Sequence, residues 1–244
     1  MSGLSARDVL QIWETGLSQH PVDRALTILA QAYPQIPREQ LALYSIGRRD
    51  ALLLDIRERT FGTRLDALDE CEVCRTLLEF TLDSRRLRVT RALEPDEAVF
   101  HLSVEHHAVE YRLLNSFDLA AIAACPDLTT ARDLLIRRCI LKARAEREEL
   151  AVEHLPENVV AELSARIAAH DTQAEIQLEL LCPACEHRWH ALFDIASFMW
   201  TEICARSKRL FREIDLLARN YGWSESEILG LSNARRQVYL AMVT

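Results

Sequence analysis

The apolar positions of the first sixty residues recur at helical spacing, and residues 5–19 and 22–33 predict two helices. In the second, HPVDRALTILAQAYP, Ala25, Ile28, Leu29 and Ala32 share one face, and Pro21 sits near the start, where a missing N–H is harmless. Pro34 and Pro37 interrupt the pattern. LLLDIRERTFG then predicts a third helix that Gly62 stops. The period changes after Cys71: in CEVCRTLLEFTLD, Leu78, Phe80 and Leu82 alternate with their neighbours, which predicts a half-buried strand. Residues 98–104 and 108–113 predict a hairpin turning near His106 and His107. Helices are expected at about 117–124, 130–145 and 157–169, with Ser116 and Thr130 as candidate N-caps, each followed by an aspartate in the first turn.

The last third predicts a strand at about 175–181, a second strand beyond Cys185, and a long helix from Ser197 to about Asn220. The stripe of that helix is Ile203, Leu210, Ile214, Leu217 and Tyr221. GWSESEILGLSNARRQVYLAMV closes the chain with two short helices. Ser224 and Glu227 make a capping box for the first, and Ser232 caps the second. The expected fold class is α+β: mainly helical, with a split four-cysteine zinc-ribbon-like β element and a β-hairpin in the insertion. The corresponding division is a helical region at 1–66, ribbon halves at 67–83 and 175–196, an inserted hairpin plus helices at 84–174, and a helical region at 197–244.

Two CxxC pairs, Cys71/Cys74 and Cys182/Cys185, are what make the β element a ribbon. CEVCRTLLEFTLD and CPACEHRWHALFD both place an aspartate twelve residues after the first cysteine, Asp83 and Asp194. Leu78 aligns with Trp189 and Leu82 with Phe193. Each copy reads as a turn presenting two thiolates, followed by a half-buried strand. Two such turns facing each other supply four sulfurs to one tetrahedral zinc, a closed structural site. The spacing also leaves open a metal-free knuckle and a redox disulfide, the latter without the βαβ setting such motifs occupy. The position after each second cysteine wants positive φ and is often glycine; here it holds Arg75 and Glu186.

With 29 basic and 37 acidic residues the net charge is −8, which disfavours broad nucleic-acid or membrane-surface binding. No apolar run approaches the roughly 18–20 residues that span a bilayer. The start, MSGLSARDVL, lacks the basic and apolar regions of a secretory signal, so a soluble cytoplasmic chain is expected. Cys125, Cys139 and Cys204 lie in apolar helical contexts and read as small buried hydrophobes. His187 and His190 read as exposed strand residues beside a complete thiol set, and His106 and His107 as turn residues. No Gly-rich phosphate loop, G-x-S-x-G or H-E-x-x-H occurs, and with six glycines in all no enzymatic activity is expected. Arg235 and Arg236, in a short helix after a turn, open a rival reading of the C-terminus as a helix-turn-helix that binds DNA; packing of Trp223, Ile228, Leu231, Tyr239 and Leu240 on the long helix is the reading favoured.

Several stretches resemble one known family: HPVDRALTILAQAYP, IGRRDALLLDIRERTFG, EYRLLNSFDLAAIAAC, LIRRCILKARAE, the segment HLPENVVAELSARIAAHDTQAEIQLELLCPACEHRWHALFDIASFMWTEI, and LLARNYGWSESEILGLSNARRQVYLAMV. The resemblance is to the T-even-type phage baseplate hub or hub-assembly chaperone family, whose relatives occur in phage-like contractile injection systems. It covers nearly the whole chain. It implies a non-enzymatic structural or assembly role in a baseplate, with other baseplate, hub or spike proteins as partners and no catalytic residues. It also implies Cys71, Cys74, Cys182 and Cys185 as ligands of a structural zinc. Trp200, Trp223 and Tyr239 are candidate interface aromatics.

Overall fold

Caps explain where the helices begin. Ser5 and Asp8 form a reciprocal capping box at the head of α1 (Ala6–Gly16). Pro21 occupies the first position of α2 (Pro21–Ala32), where His20 Nδ1 accepts the Val22 N–H. The structure, a computed structural model, describes residues 3–89, 99–146 and 148–243. A short α3 (Arg38–Ala42) lies between the two prolines and the next helix, where no helix is expected from the sequence. The third predicted helix is α4 (Ile46–Phe61); it starts earlier than its apolar run and ends at Gly62, whose φ of 92° only glycine adopts without strain.

These helices gather on α8 (Ile195–Tyr221), a 27-residue rod roughly 40 Å long. Ile12, Ile28, Leu29, Leu54, Met199 and Ile203 form the centre of the largest apolar cluster. Past α8, Gly222 turns the chain into α9 (Glu225–Gly230), headed by the expected Ser224/Glu227 capping box. Ser232 then caps α10 (Asn233–Ala241).

The middle of the chain has its own cluster. Strands β3 (Phe100–Val104), β4 (His107–Tyr111), β5 (Ile140–Ala145) and β6 (Glu148–Glu149) form an antiparallel sheet in that order. Leu102, Val109 and Ala143 on one face pack with Val159 and Leu163 of α7 (Glu157–His170). The hairpin predicted at 98–104 and 108–113 is β3–β4, its turn made by Glu105 and His106; residue 98 lies outside the described residues. Two expectations need correction here. The helix predicted over 130–145 is α6 (Leu128–Cys139) followed by β5, because pairing with β4, about thirty residues upstream, overrides the local helical preference of ILKARA. The caps of α5 (Ser116–Ile122) and α6 are Asn115 and Asp127, not Ser116 and Thr130. Asp118, in the first turn of α5, is fully buried and binds Arg112 at 2.6 Å and Arg138 at 2.8 Å. Burial alone would raise its pKa, but those hydrogen bonds outweigh burial and hold it below the usual carboxylate range.

Two junctions fix the inserted region and the β hairpins to the helical body. Arg57, almost fully buried, donates to the carbonyls of Gly62 and Arg64 and to both carboxylate oxygens of Glu202, so the exit from α4 is pinned to α8. At the other junction Gln173 uses both ends of its amide: Oε1 accepts the Val89 N–H at 2.6 Å and Nε2 donates to Leu87 O at 3.0 Å. Asp171 beside it accepts the Gly47 N–H at 3.0 Å, an approach so close that a Cβ on Gly47 would lie 2.0 Å from Asp171 Oδ1. The entry and exit of the insertion are thereby held together at a neck.

Candidate metal centre

The two CxxC motifs sit at the tips of matching hairpins. β1 (Arg64–Glu70) pairs antiparallel with β2 (Leu77–Asp83), and β7 (Gln177–Leu181) with β8 (Arg188–Leu192). The strand β1 ahead of the first knuckle is absent from the sequence expectations; the second copy, where strands are expected on both sides of the cysteines, carried the signal for it. At each tip the same hydrogen bonds reverse the chain. Cys71 N–H donates to Thr76 O and Arg75 N–H to Cys71 O; Cys182 N–H donates to His187 O and Glu186 N–H to Cys182 O. The reversal needs a left-handed residue in the same place, and Arg75 and Glu186 have φ of 61° and 59°.

The inner faces of the hairpins pack on one another through Leu78, Leu180 and Trp189, and the Trp189 indole N–H donates to Asp69 Oδ2 at 3.2 Å across the interface. The terminal aspartates of the repeat have equivalent roles. Asp83 caps the 3₁₀ turn Ser84–Arg86 and Asp194 caps α8.

This packing brings together four sulfurs that are distant in sequence. All lie within 4.8 Å of one another, with Cys71 Sγ 3.6 Å from Cys185 Sγ and Cys74 Sγ 3.4 Å from Cys182 Sγ. A tetrahedral ion with metal–sulfur bonds of about 2.3 Å separates its ligands by about 3.8 Å, so the donor set fits a single soft cation. Both of these contacts run between the hairpins, so the two CxxC turns share one site. Cys71 and Cys182 are completely buried, whereas Cys74 and Cys185 are exposed.

The two exposed thiols differ in how readily they ionise. The Thr76 hydroxyl and then its backbone N–H hold Cys74 down at about 6. The His187 backbone N–H draws Cys185 downward, but hydrogen bonding with Cys74 and the other two thiols pushes it up to about 12. Cys74 becomes a thiolate readily, and a thiolate at Cys185 needs a compensating cation.

Among the described residues no other group of ligand side chains lies close enough to hold a metal. His187 stacks on Trp189 with ring centroids 5.9 Å apart, and His190 is exposed on β8. Cys139 is fully buried, and burial pushes its thiol up to about 12. Cys125 and Cys204 are only half-buried, less than expected. Arg236 is corrected outright: it is 1% exposed and donates to Glu213 Oε2 at 2.8 Å, so it cannot reach a DNA base. Tyr221, Trp223 and Tyr239 form an aromatic cluster with centroids 4.6 to 5.6 Å apart.

Fold and site together define a mainly helical α+β protein whose early and late segments meet in a split four-cysteine ribbon. Residues 7–200 match the family described as T4 bacteriophage base plate protein, and the chain belongs to that family. It is a family of baseplate structural proteins, not of enzymes. Comparison with curated proteins and with solved structures gives no match. No described helix is long and apolar enough to cross a membrane.

Proposed function

We propose that this chain is a hub or hub-assembly protein of the baseplate of a phage-like contractile tail or injection system, working by holding other baseplate or spike proteins rather than by catalysis. The family match over residues 7–200 carries the reading. In this proposal Cys71, Cys74, Cys182 and Cys185 bind one structural zinc. The ion closes the ribbon, and the ribbon fixes the start of α8 relative to the exit from α4. The working division is the helical region 1–66, ribbon halves 67–83 and 175–196, insertion 84–174 and helical region 197–244; one apolar cluster inside the insertion and one inside the ribbon support those two parts, while the largest cluster joins the two helical regions in one core. The DNA-binding alternative loses Arg236 to its buried ion pair with Glu213.

The test is deletion of the gene in a producing cell, with sheathed particles counted and measured by electron microscopy. Loss or malformation of particles is expected, restored by the wild-type gene. Particles unchanged in number and shape would overturn the proposal. Metal analysis of the purified protein is expected to give one zinc per chain.

A further inference from the structure

Charge is segregated along this molecule. The ribbon, residues 64–83 and 175–194, carries ten acidic and three basic residues, a net −7 of the chain's −8. The three basic residues are already paired inside it, Arg64 with Asp66, Arg75 with Glu70 and Arg188 with Glu179; Arg85, just beyond, pairs with Asp83. Asp69, Glu72, Glu79, Glu175, Glu186 and Asp194 have no cationic partner among the described residues.

The same element carries an apolar groove of about 310 Å3 between the two hairpins and the start of α8. Its lips are Leu68 and Leu192, 63% and 67% exposed, its floor includes Phe80, Leu178 and Phe198, and Asp69 and Asp194 stand on its rim.

The opposite polarity lies along the middle of α8. Residues 206–212 hold Arg206, Lys208, Arg209 and Arg212 and no acid, and α10 adds Arg235 and Arg236. One carboxylate, Glu213, accepts three of these cations. Lys208, Arg212 and Arg235 are exposed, with no ion pair among the described residues. Phe211, Val238 and Met242 add exposed apolar surface to the same helices. The ribbon of the same chain cannot use this face. Fourteen to eighteen residues of continuous helix separate Asp194 from Lys208 and Arg212, roughly 21–27 Å, well beyond a screening length of about 8 Å.

We infer that the acidic ribbon groove of one copy receives the cationic α8–α10 face of a second copy, with an apolar side chain of that face seated between Leu68 and Leu192. The contact joins two different patches, so it is head-to-tail: repeated, it closes into a ring or continues as a chain. It does not rest on the baseplate reading.

Sedimentation velocity of the full-length protein, up to about 200 µM, tests it in about 0.05 M and about 0.5 M salt. Concentration-dependent species heavier than the monomer are expected at low salt, with association at least about tenfold weaker at high salt. Two charge-reversed variants are made: Leu68→Lys with Glu79→Lys, and Lys208→Glu with Arg212→Glu. Each alone is expected to be monomeric. An equimolar mixture rebuilds one native contact and sets the two reversed patches, again of opposite charge, against each other, so it is expected to associate beyond the monomer, a result that misfolded variants could not give. A wild type that stays monomeric throughout, variants that associate like wild type, or a mixture that stays monomeric overturns the inference. So does a monomeric wild type that binds a 20-base-pair duplex in a salt-dependent way, which would give the cationic face to nucleic acid.

Discussion

Gln173→Ala tests whether the neck of the insertion prepares the metal centre. Between Cys74 and Cys182 lie 107 residues, but Gln173 ties Leu87 and Val89 to the exit of the insertion through two hydrogen bonds. While the neck holds, the chain that must close to bring the two knuckles together is only about 20 residues, from 75 to the neck and from the neck to 181. Closure entropy scales as (3/2)RT times the logarithm of loop length, so restoring the full loop costs about 1.5 kcal/mol, or roughly tenfold in metal affinity. Asp171 also holds the neck through Gly47, so tenfold is an upper bound and a threefold loss is the minimum expected. The assay is competition for zinc against a chromophoric chelator at pH 7, with far-ultraviolet circular dichroism confirming that the helical body is intact. An affinity within twofold of wild type in a folded Gln173→Ala protein would refute the idea that the neck pre-organises the site.

The remaining predictions concern the ion, the knuckle turns and the C-terminal helices. Removing the metal from the protein is expected to open the hairpins while the helical body stays closed, because two-stranded hairpins over a small cluster are marginal alone. In hydrogen exchange, the amides of β2 and β8 should lose protection and those of α2 and the first half of α8 should keep it; equal protection before and after stripping sinks this. Glu186→Gly relieves a left-handed non-glycine residue and is expected to stabilise the ribbon by about 1 kcal/mol, read as slower metal loss to a chelator. Glu213→Ala leaves Arg236 buried with only long contacts to Leu231 O and Asn233 Oδ1, so docking of α10 should weaken by about 3–5 kcal/mol, whereas Arg209→Ala, an exposed partner of the same carboxylate, should cost less than about 1 kcal/mol. Burial pushes the Glu213 pKa up, but hydrogen bonds from Arg236 and Arg209 outweigh it and leave it below its ordinary value, so its stabilisation is present above the unfolded carboxyl's pKa and is lost as pH falls through the folded one. Protection factors of α10 amides, taken relative to the intrinsic exchange rate at each pH, should fall on acidification in wild type and lose that acid dependence in Glu213→Ala.

What could be read from the sequence follows from how local each cause is. The knuckles were legible because a CxxC turn is specified within six residues and occurs twice; convergence of the sulfurs, the positive φ after each second cysteine and the burial of Leu78 and Trp189 all follow from that repeat. The helix caps at Ser224 and Ser232 were legible for the same reason. β5 was not, since nothing in ILKARA opposes a helix and the deciding hydrogen bonds come from β4. Arg236 was not either. Its partner Glu213 is 23 residues back across two turns, and an arginine in a short C-terminal helix has the same sequence whether it faces solvent or a buried carboxylate.

β1 shows how a single functional contact can erase a pattern. In RLDALDE the inward positions are Leu65, Ala67 and Asp69, while Leu68 points outward. Asp69 faces in because it accepts the Trp189 indole N–H from the other hairpin, and Leu68 faces out as a lip of the apolar groove. Each exchange puts the wrong polarity on its face, so the alternation that marks a strand disappears where the strand does most to join the two halves of the ribbon. Restoring the pattern with Asp69→Leu and Leu68→Asp would make a better isolated strand. It would also remove the acceptor of a buried indole N–H and one wall of the groove. The irregularity therefore belongs to the contacts between hairpins, and no rule applied to β1 alone could have supplied it.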